Sequence, residues 1–141
     1  MPVALTRRVR FAAAHRYRRP EWDDATNARV FGKCARPQFH GHTYVCDVTV
    51  EGPVDPQTGF CADLGTLDRL LHDVVVERLD HANLNLDIPE FAEGRLIPTS
   101  EELARWIAER VQGGLEAAGA SGRVVEVRVA EDDTLSATWR A

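Results

Sequence analysis

The stretch FGKCARPQFHGHTY at 31–44 holds one cysteine, Cys34, and two histidines, His40 and His42, separated by a single glycine. In an extended segment the two imidazoles project to the same side, with Cα atoms about 7 Å apart, and Gly41 leaves room for close approach. At that spacing they can converge on one metal ion, and nitrogen donors suit zinc. His15 is the best third ligand: it ends an alternating segment just after three alanines and shares the parity of Val9 and Phe11. Three neutral histidines leave a fourth coordination position for water or substrate, which is a catalytic arrangement. Cys34 as fourth ligand would instead close the site, and spacing alone leaves both options open. Without a metal, the same residues read as two loop histidines and a core histidine.

A second group, LDHANLN at 79–85, sets Asp80 beside His81. An imidazole oriented by a carboxylate can take a proton from a thiol and return it. Sequence neighbours do not face each other in a helix or strand, so the pair needs a turn; the competing reading is a tied turn with a solvent-facing histidine. Glu131 precedes Asp132 and Asp133 at the end of a predicted strand. It is either part of a solvated acidic turn or an acceptor of paired hydrogen bonds from an amino-pyrimidinone ring. Thr99 and Glu101, at a predicted helix start, are ligand contacts or helix-end chemistry. His72 reads as a surface residue.

These residues must be positioned by few elements. Residues 3–14 alternate as a strand, and residues 15–41 lack any period and read as a long loop, a feature that is often functional. Tyr44 to Val50 forms a second strand with Tyr44, Cys46, Val48 and Val50 on one face. A helix over 63–78 carries the stripe Leu64, Leu67, Leu70, Leu71, Val74, Val75, with Asp63 as N-cap. Residues 79–98 break the pattern. A second helix starts near Thr99, where Thr99 and Glu102 match a capping box; the pair Gly113–Gly114 weakens it. The tail VVEVRVAEDDTLSATWR reads as a hairpin, with Val125, Val127 and Val129 on one face and Leu135, Ala137 and Trp139 opposite.

The order strand, strand, helix, helix, strand, strand predicts an α+β fold, a four-stranded antiparallel sheet with two helices on one face, in a single domain over 1–141. Apolar residues on both strand parities leave the other face needing a partner, and oligomerisation supplies one. The 141 residues are 44% hydrophobic and 28% charged, with 17 basic against 22 acidic side chains and a net charge of −5. That balance argues against nucleic-acid and membrane-surface roles. No apolar run is long enough to span a membrane, and MPVALTRRVRF lacks a signal peptide's apolar core. The three cysteines, Cys34, Cys46 and Cys61, make no disulfide framework, which points to the cytoplasm.

Taken in order, FAAAH at 11–15, FGKC at 31–34, HGHTY at 40–44, DPQTGFCADLGTL at 55–67, LDHANLN at 79–85, PTSEELA at 98–104 and Glu131 resemble the 6-pyruvoyl-tetrahydropterin synthase / 6-carboxy-tetrahydropterin synthase family. The resemblance implies a tunnelling fold (T-fold), in which three subunits close a barrel and two trimers stack into a homohexamer with active sites at subunit interfaces. It implies Zn(2+) on His15, His40 and His42, and proton transfer by Cys34 assisted by Asp80 and His81. It also implies Glu131 as pterin anchor, with Thr99 and Glu101 nearby. The implied substrate is 7,8-dihydroneopterin triphosphate, a small-molecule pterin triphosphate, with Arg16, Arg18, Arg19 and Lys33 as candidates for its phosphates. Two products are implied by different branches. The 6-carboxy branch, which also releases acetaldehyde and feeds queuosine and deazapurine synthesis, is the expectation for a bacterial chain, hinted at by the Ala- and Arg-rich composition. The 6-pyruvoyl branch, which stops after triphosphate loss and feeds biopterin synthesis, is the alternative, and FGKC followed by Arg-Pro and IPEF after LDHANLN lean towards it. A non-catalytic zinc-stabilised oligomer is the remaining reading.

Overall fold

A computed structural model describes residues 2–141. In chain order the elements are β1 (Pro2–His15), α1 (Asp24–Phe31), a 3₁₀ turn (Gly32–Ala35), β2 (His40–Pro53), α2 (Leu64–Leu70), a π-helical segment (Leu71–Val76) and α3 (Glu77–Leu79). There follow β3 (Ala82–Asn83), α4 (Leu84–Asp87), a second 3₁₀ turn (Pro89–Phe91), α5 (Ser100–Ala117), β4 (Arg123–Ala130) and β5 (Ser136–Arg140). The strands form one sheet in the order β3-β1-β2-β4-β5.

β1 and β2 pair antiparallel along their whole lengths, from Pro2 opposite Pro53 to His15 opposite His40. Tyr44, Cys46, Val48 and Val50 are all buried on one face, as their alternation requires. β2 begins earlier than the expected Tyr44, so His40 and His42 stand in the strand and inherit the parity of its core residues. β4 pairs with β2 and β5 with β4, both antiparallel. The expected four-stranded antiparallel sheet gains a fifth strand, β3, which pairs parallel with β1 through Ala13–Ala82 and Ala14–Asn83. Two residues are too few to leave a periodic signal.

The expected face of β4 also needs correction. Thr49 pairs with Glu126 but Val50 with Val124, so Val125 is an extra residue in a β-bulge. The bulge switches parity: Val124, Val127 and Val129 are buried, while Val125 is only half-buried.

α2, the π-helical segment and α3 form one continuous run capped by Asp63, whose carboxylate accepts the Thr66 amide at 3.0 Å. Leu67, Leu71, Val75 and Leu79 line its buried side. α5 buries Leu103, Ile107, Val111 and Leu115 against β4, β5 and α2. The glycine pair does not interrupt α5. A Cβ on Gly114 would lie 2.4 Å from Leu70 Cδ2, so the missing side chain lets α2 approach α5. No helix of the described residues is long and apolar enough to cross a membrane.

The region expected to be a structureless loop, 15–41, contains α1 and the 3₁₀ turn. Asp23 caps α1 by accepting the Thr26 amide at 2.7 Å. Buried Asn27 ties the loop to the helix: its Oδ1 accepts the Arg19 amide at 2.8 Å, and its Nδ2 donates to the carbonyls of Arg19 and Asp23.

Candidate active site

The β1–β2 register assembles three histidines. His15 stands opposite His40, Ala13 opposite His42, and one ligand nitrogen of each histidine lies within 4.8 Å of the others. His15 is fully buried. Its Nδ1 donates to the Pro98 carbonyl at 2.9 Å, with the Tyr44 hydroxyl also at 3.0 Å. A carbonyl can only accept, so Nδ1 carries the proton and Nε2 presents a lone pair with no hydrogen-bond partner. Burial lowers His15 to about 4, and burial followed by the His42 charge lowers His40. In His15, a neutral imidazole with an orphaned buried nitrogen and a backbone-fixed tautomer, beside two further imidazoles, the site has what a metal ion requires. The residues therefore fit zinc.

Cys34 is not part of that cluster. It sits in the 3₁₀ turn, where its carbonyl accepts the Tyr17 amide at 2.8 Å, and its side chain is half-buried. The Tyr17 ring packs edge-on against His15 and against Phe31, with centroids at 4.9 and 5.8 Å, and so braces the turn against the histidines. Cys34, His40, His42 and Glu131 all line one cavity of about 490 Å³. Burial and then the Glu131 charge push the Cys34 thiol up, so it rests protonated.

Glu131 belongs to this cavity and not to a solvated turn. It is 8% exposed, its Oε2 lies 2.9 Å from His42 Nε2 and 3.9 Å from His15 Nε2, and burial raises its carboxyl. The turn itself is built by Asp132, whose Oδ1 accepts from the amides of Thr134 and Leu135.

The other expected residues lie elsewhere. Asp80 accepts the Ala12 amide at 2.8 Å and His81 Nδ1 at 2.9 Å, and these bonds hold its carboxyl low. The pair does form in a turn, with His81 at φ 60°, a conformation strained for a non-glycine residue. The His81 side chain is 85% exposed and borders a different concavity, over Ala12–Ala14 and Gly41–Thr43. Thr99 caps α5, its hydroxyl accepting the Glu102 amide at 3.2 Å. The expected capping box is half made, since Glu102 pairs with Arg105 at 2.7 Å. Glu101 lines a groove between α5 and β5 with Leu135 and Trp139, and its charge reaches Glu131 and Tyr17.

The sequence reading missed Pro98 and Tyr17. A backbone acceptor has no sequence signature, but Tyr17 stands two residues beyond His15 in the sequence.

The family model for 6-pyruvoyl tetrahydropterin synthase matches residues 4–141. A human protein named 6-pyruvoyl tetrahydrobiopterin synthase is 36% identical over 129 residues, covering 92% of this chain and 85% of its own. A Pyrococcus furiosus protein named dihydroneopterin monophosphate aldolase is 32% identical over 115 residues, covering 82% and 80%. The solved structure of Caenorhabditis elegans 6-pyruvoyl tetrahydropterin synthase matches with a TM-score of 0.89 at 30% identity, covering 100% of this chain and 96% of that one. By its sequence and by its fold, the chain belongs to the 6-pyruvoyl tetrahydropterin synthase family.

Proposed function

We propose that this chain is a zinc-dependent lyase that converts 7,8-dihydroneopterin triphosphate to a 6-pyruvoyl tetrahydropterin, releasing triphosphate. The observation that carries this reading is the three-histidine cluster, two of whose members, His40 and His42, line one cavity with Cys34 and Glu131. The sequence alone favoured the 6-carboxy product; the name of the human relative supports the 6-pyruvoyl product instead. A closed, non-catalytic metal site is disfavoured because Cys34 stands outside the ligand cluster.

Zinc on His15, His40 and His42 would supply a Lewis acid that acidifies C–H bonds beside the substrate's side-chain oxygens. Glu131, whose carboxylate faces the cavity, accepts hydrogen bonds from the ring's amino and lactam N–H groups and fixes the ring. Cys34 rests as a thiol, so it must lose its proton before it can act as a base. The His81 ring is suited to take that proton: Asp80 holds Nδ1–H, which leaves Nε2 as acceptor. The thiolate then abstracts a side-chain proton, His81 returns its own, and the C–O bond to triphosphate breaks. The first two side-chain carbons and their hydroxyls give up four protons, which are taken up by ring C6 and N5, the terminal methyl carbon and the departing triphosphate; the ring is reduced as the side chain is oxidised, so no external oxidant or reductant is consumed.

Within one chain His81 does not border the Cys34 cavity. We therefore read the active unit as an oligomer, a homohexamer in this family's manner, in which one copy's Asp80 and His81 complete another's site. A cytoplasmic location suits its free cysteines.

The decisive experiment supplies zinc-loaded protein with 7,8-dihydroneopterin triphosphate anaerobically and follows products by mass spectrometry. A 6-pyruvoyl product without acetaldehyde is expected. A 6-carboxy product with acetaldehyde would replace the proposed product by the other branch, and unchanged substrate would overturn the triphosphate assignment.

A further inference from the structure

The cavity that holds Cys34 and His42 shares two residues, Lys33 and Arg36, with a neighbouring cavity of about 570 Å³. They occupy the junction for a geometric reason. In a 3₁₀ turn, residues three apart eclipse one another. The Arg36 amide closes this turn on the Lys33 carbonyl at 3.2 Å, so both side chains leave from the same side, with Cys34 between them in sequence.

Electrostatics separates these two cations from their neighbours. Arg16 and Arg18 lie beside Glu93 at 3.9 and 3.4 Å, Arg18 also binds Asp24 at 3.0 Å, and Arg19 lies 3.9 Å from Glu21. Among the described residues Lys33 and Arg36 make no ion pair. In the second cavity the one carboxylate, Asp24, is spent on Arg18, which leaves two uncompensated positive charges at the junction. The first cavity is also lined by two carboxylates, Glu131 and Asp132, and Glu131 lies 2.9 Å from His42. The combined site therefore carries both signs: a carboxylate against His42, and two unpaired cations where the cavities meet.

We propose that Lys33 and Arg36 form a polyphosphate subsite, and that the adjoining cavity receives the outer phosphates of the substrate and the triphosphate once released. The proposal rests on the function proposed above and deepens it. Arg36 supplies a planar fork that can engage two phosphate oxygens, and Lys33 a compact point charge. Of the four basic residues that the family resemblance suggested for the phosphates, the proposal keeps Lys33 and adds Arg36.

The test uses inorganic tripolyphosphate, with orthophosphate as comparison, as inhibitors of the zinc-loaded protein and as ligands in calorimetry. Wild type should bind tripolyphosphate more tightly than orthophosphate, increasingly so at low salt. Arg36→Gln should raise KM for the triphosphate substrate and weaken tripolyphosphate inhibition, each roughly tenfold, with kcat nearly unchanged. Lys33→Gln should weaken tripolyphosphate binding in the same direction, and Arg29→Gln, an exposed change at a residue that lines neither cavity, should behave as wild type. If wild type turns over the substrate while Arg36→Gln and Lys33→Gln leave KM and tripolyphosphate affinity unaltered, the subsite is refuted and the proposed function stands. If tripolyphosphate binding depends on Arg36 but the pterin triphosphate is not consumed, the subsite holds and the substrate assignment falls.

Discussion

His15 combines two demands that conflict in a metal-free chain. It is fully buried, and burial lowers it to about 4 from its ordinary 6.5. Between those values the unfolded chain binds a proton on this ring and the folded chain does not. Stability contributed by neutral His15 is therefore present above pH 6.5 and declines as pH falls towards 4, by about 3 kcal/mol in all. Urea denaturation of metal-stripped protein at the two ends of this window should give wild type a steeper loss than His15→Gln, which has no such proton to gain. Equal losses would mean that His15 is not the buried neutral group described. Parity placed this histidine correctly from the sequence, beyond Phe11 on the same face. Its partner, the Pro98 carbonyl, was hidden because backbone acceptors look alike at every residue.

Elements decide how precisely these residues are held. The β1–β2 ladder was legible because Tyr44, Cys46, Val48 and Val50 alternate without interruption. α1 was not, because DATNARVF buries only Asn27 and so lacks an apolar stripe. Its cap, Asp23, and its terminating Gly32 at φ 60° were the signals available. The bulge at Val125 was illegible because alternation through Val125, Val127 and Val129 fits an unbroken strand equally well. α5 matters most for the site, since Pro98, which orients His15, immediately precedes its N-cap. Thr99→Ala removes the hydroxyl that accepts the Glu102 amide and should cost about 1 kcal/mol of stability, with Thr99→Ser restoring most of it. Chemical denaturation measures this directly. A Thr99→Ala protein of unchanged stability but raised KM would make Thr99 a substrate contact and not a cap.

At the scale of the whole molecule, the two groups proposed for proton transfer border different concavities of one chain. Cys34 opens on the histidine cavity, whereas His81, 85% exposed and strained at φ 60°, borders another concavity across β1 and β2. Holding a polar ring outwards in a strained conformation has a physical rationale if a second copy covers it. A head-to-tail interface that closes into a ring gives every copy one such completed site. Cys34→Ala and His81→Ala proteins should each be nearly inactive, and Cys34→Ala protein supplied with zinc should bind as much of it as wild type because Cys34 lies outside the ligand cluster. When the two are unfolded together in equal amounts and refolded, a site that takes Cys34 from one variant and His81 from the other is intact. Random mixing then restores about a quarter of wild-type sites. Mixing already assembled oligomers without unfolding should restore far less, which distinguishes subunit exchange from contamination. No recovery after refolding, with oligomers confirmed to be mixed, would place Cys34 and His81 in the same chain's site and require a rearrangement of the His81 turn.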